Sequence, residues 1–322
     1  MTDAAPRPRV VTVGDFVADL LVSIPTLPVE PAKHQLATEM IVEPGGAGNF
    51  VIAGARLGLD MRLLGVRGTD LFGDTAAAAL AAEGLDTQWL VAQPDGSTTT
   101  VLVLVDDACR HVFLGKYGVG PAVEWSTAWE EQIRAAQALF LSGYTLHEER
   151  LVSAALRGLE TARESGVQVF FDPGPHIAGM TELRIANVLS RTDVLLLTED
   201  EIPLVTQGQD GLDAAVGLLD AGPALICVKR GAQGCVLISH EKRVLHPGFP
   251  VEVRDTNAAG DSFAAAFIYA VLRGWPLEQV AAFANAMGAA KVQKLGSGRR
   301  VPTRAEVLAV LRQFQVEIPM EM

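Results

Sequence analysis

The sequence predicts an α/β protein: a mostly parallel sheet with helices on both faces, carrying a small antiparallel sheet. Three observations predict it. Short apolar runs alternate with longer helical patterns along most of the 322 residues, as in βαβ units. The C-terminal third turns helical. Two segments, about 20–42 and 98–114, hold strand-like runs with no helix between them.

Taken in order, residues 9–13 read as a strand that ends at Gly14. Residues 47–57 have helical apolar spacing and stop at Gly58, which suits a left-handed C-cap. A strand at 61–66 and an Ala-rich helix at 70–83, closed by Gly84, follow. Further strands are expected at 138–141, 167–171, 194–197 and 224–228, with helical patterns at 148–165 and 210–219 between them. Helices at 260–273, 276–294 and 303–314 complete the chain, and Gly274 and Pro276 separate the first two. In the helix-free segments, runs 20–24 and 36–42 flank a Pro-rich turn, and 98–114 reads as a hairpin turning at Asp106-Asp107. The whole of 1–322 reads as one domain, with these segments as its lid.

Composition excludes several roles. With 49% hydrophobic residues the chain can build a core, which excludes a disordered role. Asp plus Glu outnumber Lys plus Arg, 38 to 26, and the net charge is −12. That balance lacks the basic footprint of a nucleic-acid binder and opposes an anionic membrane surface. The longest apolar run, 263–272, falls short of the roughly 20 residues a bilayer span needs. Met1-Thr2-Asp3-Ala4-Ala5-Pro6 has no basic region followed by an apolar run, so no secretory leader is expected. Cys109, Cys227 and Cys235 lack metal spacing, so reduced thiols in the cytoplasm are expected. Gly115-Lys116 is followed by Tyr117, so it is not a Walker-type phosphate loop. No G-x-G-x-x-G follows the first strand, which weakens a dehydrogenase reading. His147-Glu148-Glu149-Arg150 lacks the second histidine of a zinc-protease motif.

The stretch 255–263, Asp-Thr-Asn-Ala-Ala-Gly-Asp-Ser-Phe, carries the chemistry. Its small residues allow close approach to the backbone, and a long helical pattern begins just after them. A helix N-terminus presents unsatisfied N–H groups and partial positive charge, which suits phosphate. A carboxylate beside that nest, Asp261, is placed to take a proton from a hydroxyl attacking phosphorus. On its own, an Ala-Ala-Gly-Asp run is more simply read with Asp261 as a first-turn residue that satisfies N–H groups. Two further glycine-rich turns, Gly45-Gly46-Ala47-Gly48-Asn49 and 229–234, accompany it.

The order and spacing of these pieces resemble the ribokinase-like (PfkB) carbohydrate kinases over essentially the whole chain. D-T-x-A-A-G-D at 255–261 is close to the family's C-terminal signature, with Ala where many members have Gly. G-G-x-x-N at 45–49 looks like the N-terminal signature. Val13-Gly14-Asp15-Phe16-Val17-Ala18-Asp19 resembles the first strand with its substrate-facing acid. Thr198-Glu199-Asp200-Glu201 sits where members carry N-x-x-E.

The resemblance implies a three-layer α/β/α ribokinase-like fold with a small antiparallel β lid. It implies an ATP-dependent kinase acting on a hydroxyl of a sugar or similar small molecule. Asp261 is implied as the base, with the amides of Ala258, Ala259, Gly260 and Asp261 as the anion hole. Asp19, Gly45, Gly46 and Asn49 are implied for the substrate. Thr198, Lys229, Gly231, Gly234 and Thr256 are implied around the nucleotide, with Asn285 near its base. Glu201 would order Mg²⁺ through water. Asp255 would hold K⁺, unless an arginine at the position of Arg300 replaces the cation. Lid closure would exclude water.

Residue types alone leave plainer readings open. Asn49 also suits a helix N-cap, Asp19 and Lys229 suit strand-end charges, and Asn285 suits a helix surface. Lys33, His34, Arg110 and His111 would reach an acidic or phosphorylated sugar, or are solvated lid charges. Tyr117, Tyr144 and Phe16 would stack on a sugar or nucleobase, or simply pack. A nucleoside kinase and a non-catalytic sugar- or nucleotide-binding protein are the competing functions. The intact 258–261 run argues against the latter. Open lid edges suggest a homodimer paired through the lid.

Overall fold

The computed structural model describes residues 7–319, so the reading of the first six residues falls outside it. Its strands are β1 (Arg9–Val13), β2 (Phe16–Ile24), β3 (Glu39–Gly46), β4 (Asp60–Gly68), β5 (Leu90–Gln93), β6 (Thr99–Asp106) and β7 (His111–Lys116). They continue as β8 (Ala138–Ser142), β9 (Gln168–Asp172), β10 (Val194–Thr198), β11 (Leu225–Lys229), β12 (Cys235–Ile238) and β13 (Arg243–His246). The large sheet has the order β13-β12-β11-β10-β9-β8-β1-β4-β5. Every pair from β11 to β5 is parallel. β12 and β13 add an antiparallel edge that the strand–helix rhythm does not announce.

Strand periodicity builds two cores. Along β10, Val194 and Leu196 face one layer while Leu195 and Leu197 face the other. The first layer holds Phe50, Phe263, Phe267 and Phe283 from the helices Ala47–Leu57, Ala259–Leu272 and Leu277–Val292. The second holds Trp129, Leu159 and Val188 from Thr127–Arg134, Val152–Glu164 and Glu182–Leu189. Both faces are covered, which is why these strands read as continuous apolar runs. Gly58 takes the left-handed conformation (φ 100°) that ends the helix Ala47–Leu57. Asp70 caps the Ala-rich helix Leu71–Ala82 by accepting from the Gly73 amide.

The small sheet has the order β3-β2-β6-β7. Its two hairpins are antiparallel as expected, but β2 and β6 pair in parallel, from Val17 with Thr99 to Ile24 with Asp106. Each of these strands is the outgoing arm of its own hairpin, which leaves them side by side and co-directional. An all-antiparallel sheet is therefore corrected to a mixed one. Among the described residues, no helix is long and apolar enough to cross a membrane.

Candidate active site

The large sheet reverses its winding at β1 and β8. From β1 the chain runs outward to β4 and β5, and from β8 it runs the other way to β11. Open α/β sheets bind ligands at the carboxyl ends of the strands beside such a switch. That rim carries Asp15 just after β1, Asp172 at the end of β9, Thr198 at the end of β10 and Lys229 at the end of β11.

The helix Ala259–Leu272 aims its N-terminus there. Ala258 is its cap and sits in the left-handed region (φ 59°, ψ 11°), a conformation L-residues adopt at a cost and glycine adopts freely. The Ala259 amide is turned onto the Thr256 carbonyl at 3.2 Å. The amides of Gly260 and Asp261 lie in the first turn, where the helix itself offers no carbonyl one turn back. A side chain at Gly260 would meet nothing within 4 Å, so the protein's own packing does not require a glycine there. The space lies open for a ligand.

Asp261 does more than satisfy its own helix. Its Oδ2 accepts from Asn49 Nδ2 at 3.0 Å, and Asn49 Oδ1 accepts from the Gly298 amide at 2.7 Å. Asn49 is therefore no N-cap. Gly46 takes that place with φ 52°, where a Cβ would lie 2.8 Å from the Asp15 carbonyl. Asp19 is likewise no solvated charge: it is 5% exposed and accepts from the Ser297 hydroxyl. It stands opposite Glu43 in the β2–β3 pair. A Cβ at Gly45 would fall 2.3 Å from Asp19 Oδ1, so glycine there keeps room for that carboxylate. Asp19, Gly45, Gly46, Asn49 and Asp261 thus converge through the 296–298 turn.

The carboxylates in this crevice hold their protons tightly. Burial pushes Asp261 up to about 7, and neighbouring Asp172 and Asp19 add to the rise against Asn49 and Lys229. Burial, then Glu43, pushes Asp19 up to about 6 against the Ser297 hydrogen bond. Asp15 is pushed up to about 7 by burial first and Glu148 second. Unneutralised negative charge has thus been gathered where a cationic or proton-donating ligand would relieve it.

On the other side of Asp261, Lys229 Nζ lies 2.5 Å from Asp172 Oδ2. Burial works against this ammonium, but Asp172 and Glu201 outweigh it and raise its pKa. Glu201 accepts from the Thr198 amide at 2.8 Å, and burial followed by Asp172 raises its own pKa. Gly231 has φ 55° and open space beside it. Gly234 has a structural reason of its own, since a Cβ would meet the His246 carbonyl at 2.0 Å. Asn285 is buried, not a surface residue, and donates to the Ala281 carbonyl at 2.8 Å and to Cys235 Sγ at 3.1 Å.

Several alternatives left open by residue type narrow. Phe16 is fully buried in the core and stacks on nothing outside it. Lys33 pairs with Glu30, and Arg110 pairs with Asp106. Arg300 reaches Glu39 at 2.7 Å on the surface, and so does not replace a cation at Asp255. Tyr117 and Tyr144 do converge, on His176: the Tyr144 and His176 rings lie 4.7 Å apart, and Tyr117 Oη is 3.5 Å from His176 Nδ1. Asp172, Ser297, Gly298 and Lys291 are absent from the residues picked out by sequence. For Asp172 a signal existed, an acid closing an apolar strand at Phe171-Asp172-Pro173.

The "pfkB family carbohydrate kinase" profile matches residues 7–304. The chain belongs to this family of carbohydrate kinases. Within it, the chain is 30% identical over 305 residues to the ATP-dependent ribose-1-phosphate kinase of Halopiger xanaduensis, covering 95% of this chain and 98% of the relative. The structure of Arabidopsis thaliana ribokinase with ribose and ATP shares the fold with a TM-score of 0.80 at 24% identity, covering 95% and 99% of the two chains. A putative ribokinase II of E. coli with ATP and Mg²⁺ shares it with a TM-score of 0.83 at 24% identity, covering 95% and 99%. The carbohydrate-kinase assignment removes the dehydrogenase reading, and the mixed small sheet stands beside the crevice of a ribokinase fold.

Proposed function

We propose that this kinase transfers the γ-phosphoryl group of ATP to a hydroxyl of a small, uncharged sugar, with Asp261 as the base. One observation carries the reading: Asp261 stands in the first turn of the helix Ala259–Leu272 and is joined through Asn49 to the turn that also holds Asp19. Asp19 and Asn49 would bind and orient sugar hydroxyls, one accepting hydrogen bonds and the other both accepting and donating. The attacking hydroxyl gives its proton to an Asp261 oxygen as its own oxygen bonds to phosphorus, and ADP leaves. The amides of Gly260 and Asp261, at the positive end of the helix, face the charge on the transferring group.

Asp172 and Glu201 fit a hydrated Mg²⁺ carried by the nucleotide, being two hard oxygen donors whose mutual repulsion, which adds to burial in the raised pKa of Glu201, a second cation beside Lys229 would relieve. No group of three or more His, Cys, Asp or Glu among the described residues would hold a metal by itself, which suits coordination through water. Bound there, Mg²⁺ neutralises phosphate charge. Lys229, Gly231, Thr256 and Thr198 would line the triphosphate and Asn285 the base. The small sheet would act as the lid, covering the crevice from 16–46 and 99–116. Two of the cations beside it are committed to acids, Arg299 to Glu43 and Arg110 to Asp106, which favours an uncharged acceptor over a phosphorylated one.

The test is ADP release with Mg²⁺-ATP over neutral sugars, sugar phosphates and nucleosides. Turnover confined to neutral sugars is the expected result. Turnover on nucleosides alone would move the assignment to the Tyr144–His176–Tyr117 cluster as a base platform. Turnover on sugar phosphates alone would sink the uncharged-acceptor reading.

The lid also supports a homodimer. Phe113, Leu114 and Met40 on the small sheet are more than half exposed, at 53%, 59% and 63%, and β3 and β7 are its edges. A monomer by light scattering at micromolar concentration would remove that reading. Three free cysteines, two of them buried, support a reducing, cytoplasmic setting.

A further inference from the structure

Lys291 is a charged side chain that the proposed chemistry leaves unused. It lies in the last turn of the helix Leu277–Val292 and is 0% exposed. Its Nζ donates to the Lys294 carbonyl at 3.0 Å. Burying a lone ammonium is costly, so a compensating anion is required. Among the described residues no carboxylate is in ion-pair contact with Nζ; the acid that acts on it most is Asp255, itself 1% exposed, whose amide is bonded to the Val292 carbonyl next to Lys291, with Asp261 as a weaker influence. Burial pushes the ammonium down to about 8 and Asp255 holds it up against that, so it is a cation at neutral pH.

The surroundings of Asp255 do not fit the K⁺ that the family resemblance implies. Asp255 Oδ1 accepts from the Asn257 amide at 2.7 Å, and Oδ2 accepts from the Gly296 amide at 2.6 Å. His111 Nε2 from the small sheet lies 2.9 Å from Oδ1. The nearby Val292 carbonyl already accepts from the amides of Arg254 and Asp255, and the Lys294 carbonyl is taken by Lys291 itself. Oxygens that would ligate a cation are engaged, and the positive charge is supplied from within the chain.

We infer that the Lys291 ammonium is a built-in monovalent cation, which balances Asp255 and makes this kinase independent of K⁺. The inference rests on the kinase reading above. Its reach follows from the connections of Asp255. That carboxylate ties the 255–261 run, which carries the anion hole, to Gly296. The next two residues, Ser297 and Gly298, hold Asp19 and Asn49. Lys291 is therefore a positioning residue for both halves of the site and does not touch the reacting atoms.

The test compares the native enzyme with Lys291→Ala and Lys291→Met in potassium, ammonium and tetramethylammonium chloride at equal ionic strength. The native kcat is expected to be the same in all three salts. Lys291→Ala is expected to lose roughly tenfold to hundredfold in kcat/KM, the scale of a site displaced by about an ångström, and to regain part of it in K⁺ or ammonium. A lysine that merely caps the helix would leave no salt-specific rescue. Melting of the substrate-free proteins gives a readout that stands even if no acceptor is found. K⁺ should raise the Tm of Lys291→Ala and leave the native Tm unchanged. K⁺ activation of the native enzyme overturns the inference. So does a folded Lys291→Met with native kcat/KM, and should neither variant fold, the native salt comparison decides alone.

Discussion

Asp261→Asn is expected to lose about two to four orders of magnitude in kcat while keeping the fold and the nucleotide site. The amide is the same size and still accepts the Asn49 Nδ2 hydrogen bond, but it cannot take a proton from the sugar hydroxyl. Stability should move the other way. Asp261 is pushed up to about 7 in the folded protein from 3.8, chiefly by burial. The folded state therefore binds the proton more tightly than the unfolded chain. Its stabilising contribution is complete below about 4 and is lost as pH rises through about 7. Asp15 and Asp19, raised to about 7 and about 6, act in the same sense. Asp261→Asn carries no charge and escapes its share of this loss. Its Tm should exceed that of the native protein by more at pH 8 than at pH 5. Native kcat/KM, which reports groups of the free enzyme, should rise with pH through the neutral range as Asp261 ionises. Near-native turnover in the variant would remove Asp261 from the mechanism.

Arg150→Met should cost about 3–5 kcal/mol of folding stability, the scale for stripping one partner from a buried ion pair. Arg150 and Glu148 are 3% and 2% exposed, and the guanidinium meets Glu148 through Nε at 2.9 Å and Nη2 at 3.2 Å. It also donates to the Ser97 carbonyl at 2.9 Å and to Thr99 Oγ1 at 3.3 Å, where β6 leaves the body. Methionine keeps much of the volume and abandons Glu148 beside the already strained Asp15. Urea unfolding of Arg150→Met and of Glu148→Gln/Arg150→Met separates the two effects. The double variant should recover a large part of the loss, because the uncompensated carboxylate is gone. A single-variant cost below about 1 kcal/mol would show that the pair is not desolvated as the structure has it.

The large sheet was legible because its strands are buried on both faces. β1, β8, β9, β10 and β11 are apolar runs closed by a polar residue or glycine, and helical segments separate them. The Ala258–Asp261 nest was legible for the same local reason, small residues followed by a long helical pattern. What stayed hidden is what depends on contacts distant in sequence. The parallel β2–β6 pairing joins segments about eighty residues apart, and nothing in either strand specifies it. Ser297 reaches Asp19 across 278 positions, and Gly298 reaches Asn49 across 249. Lys291 reads on the page as a charge in the last helical turn, where lysine is common, and only its complete burial separates it from that role. Arg300, two residues past Gly298, was the wrong cation for the complementary reason: its chain emerges at the surface and meets Glu39.

The most direct test of phosphoryl transfer from ATP to a sugar hydroxyl at Asp261 is the ratio of sugar phosphate formed to ADP formed. It is read by ³¹P NMR during turnover on the best acceptor. An equal yield of the two products, with ADP formation falling to background in Asp261→Asn, is the expected result. ADP released without matching sugar phosphate would contradict it, because the crevice would then be passing the phosphoryl group to water.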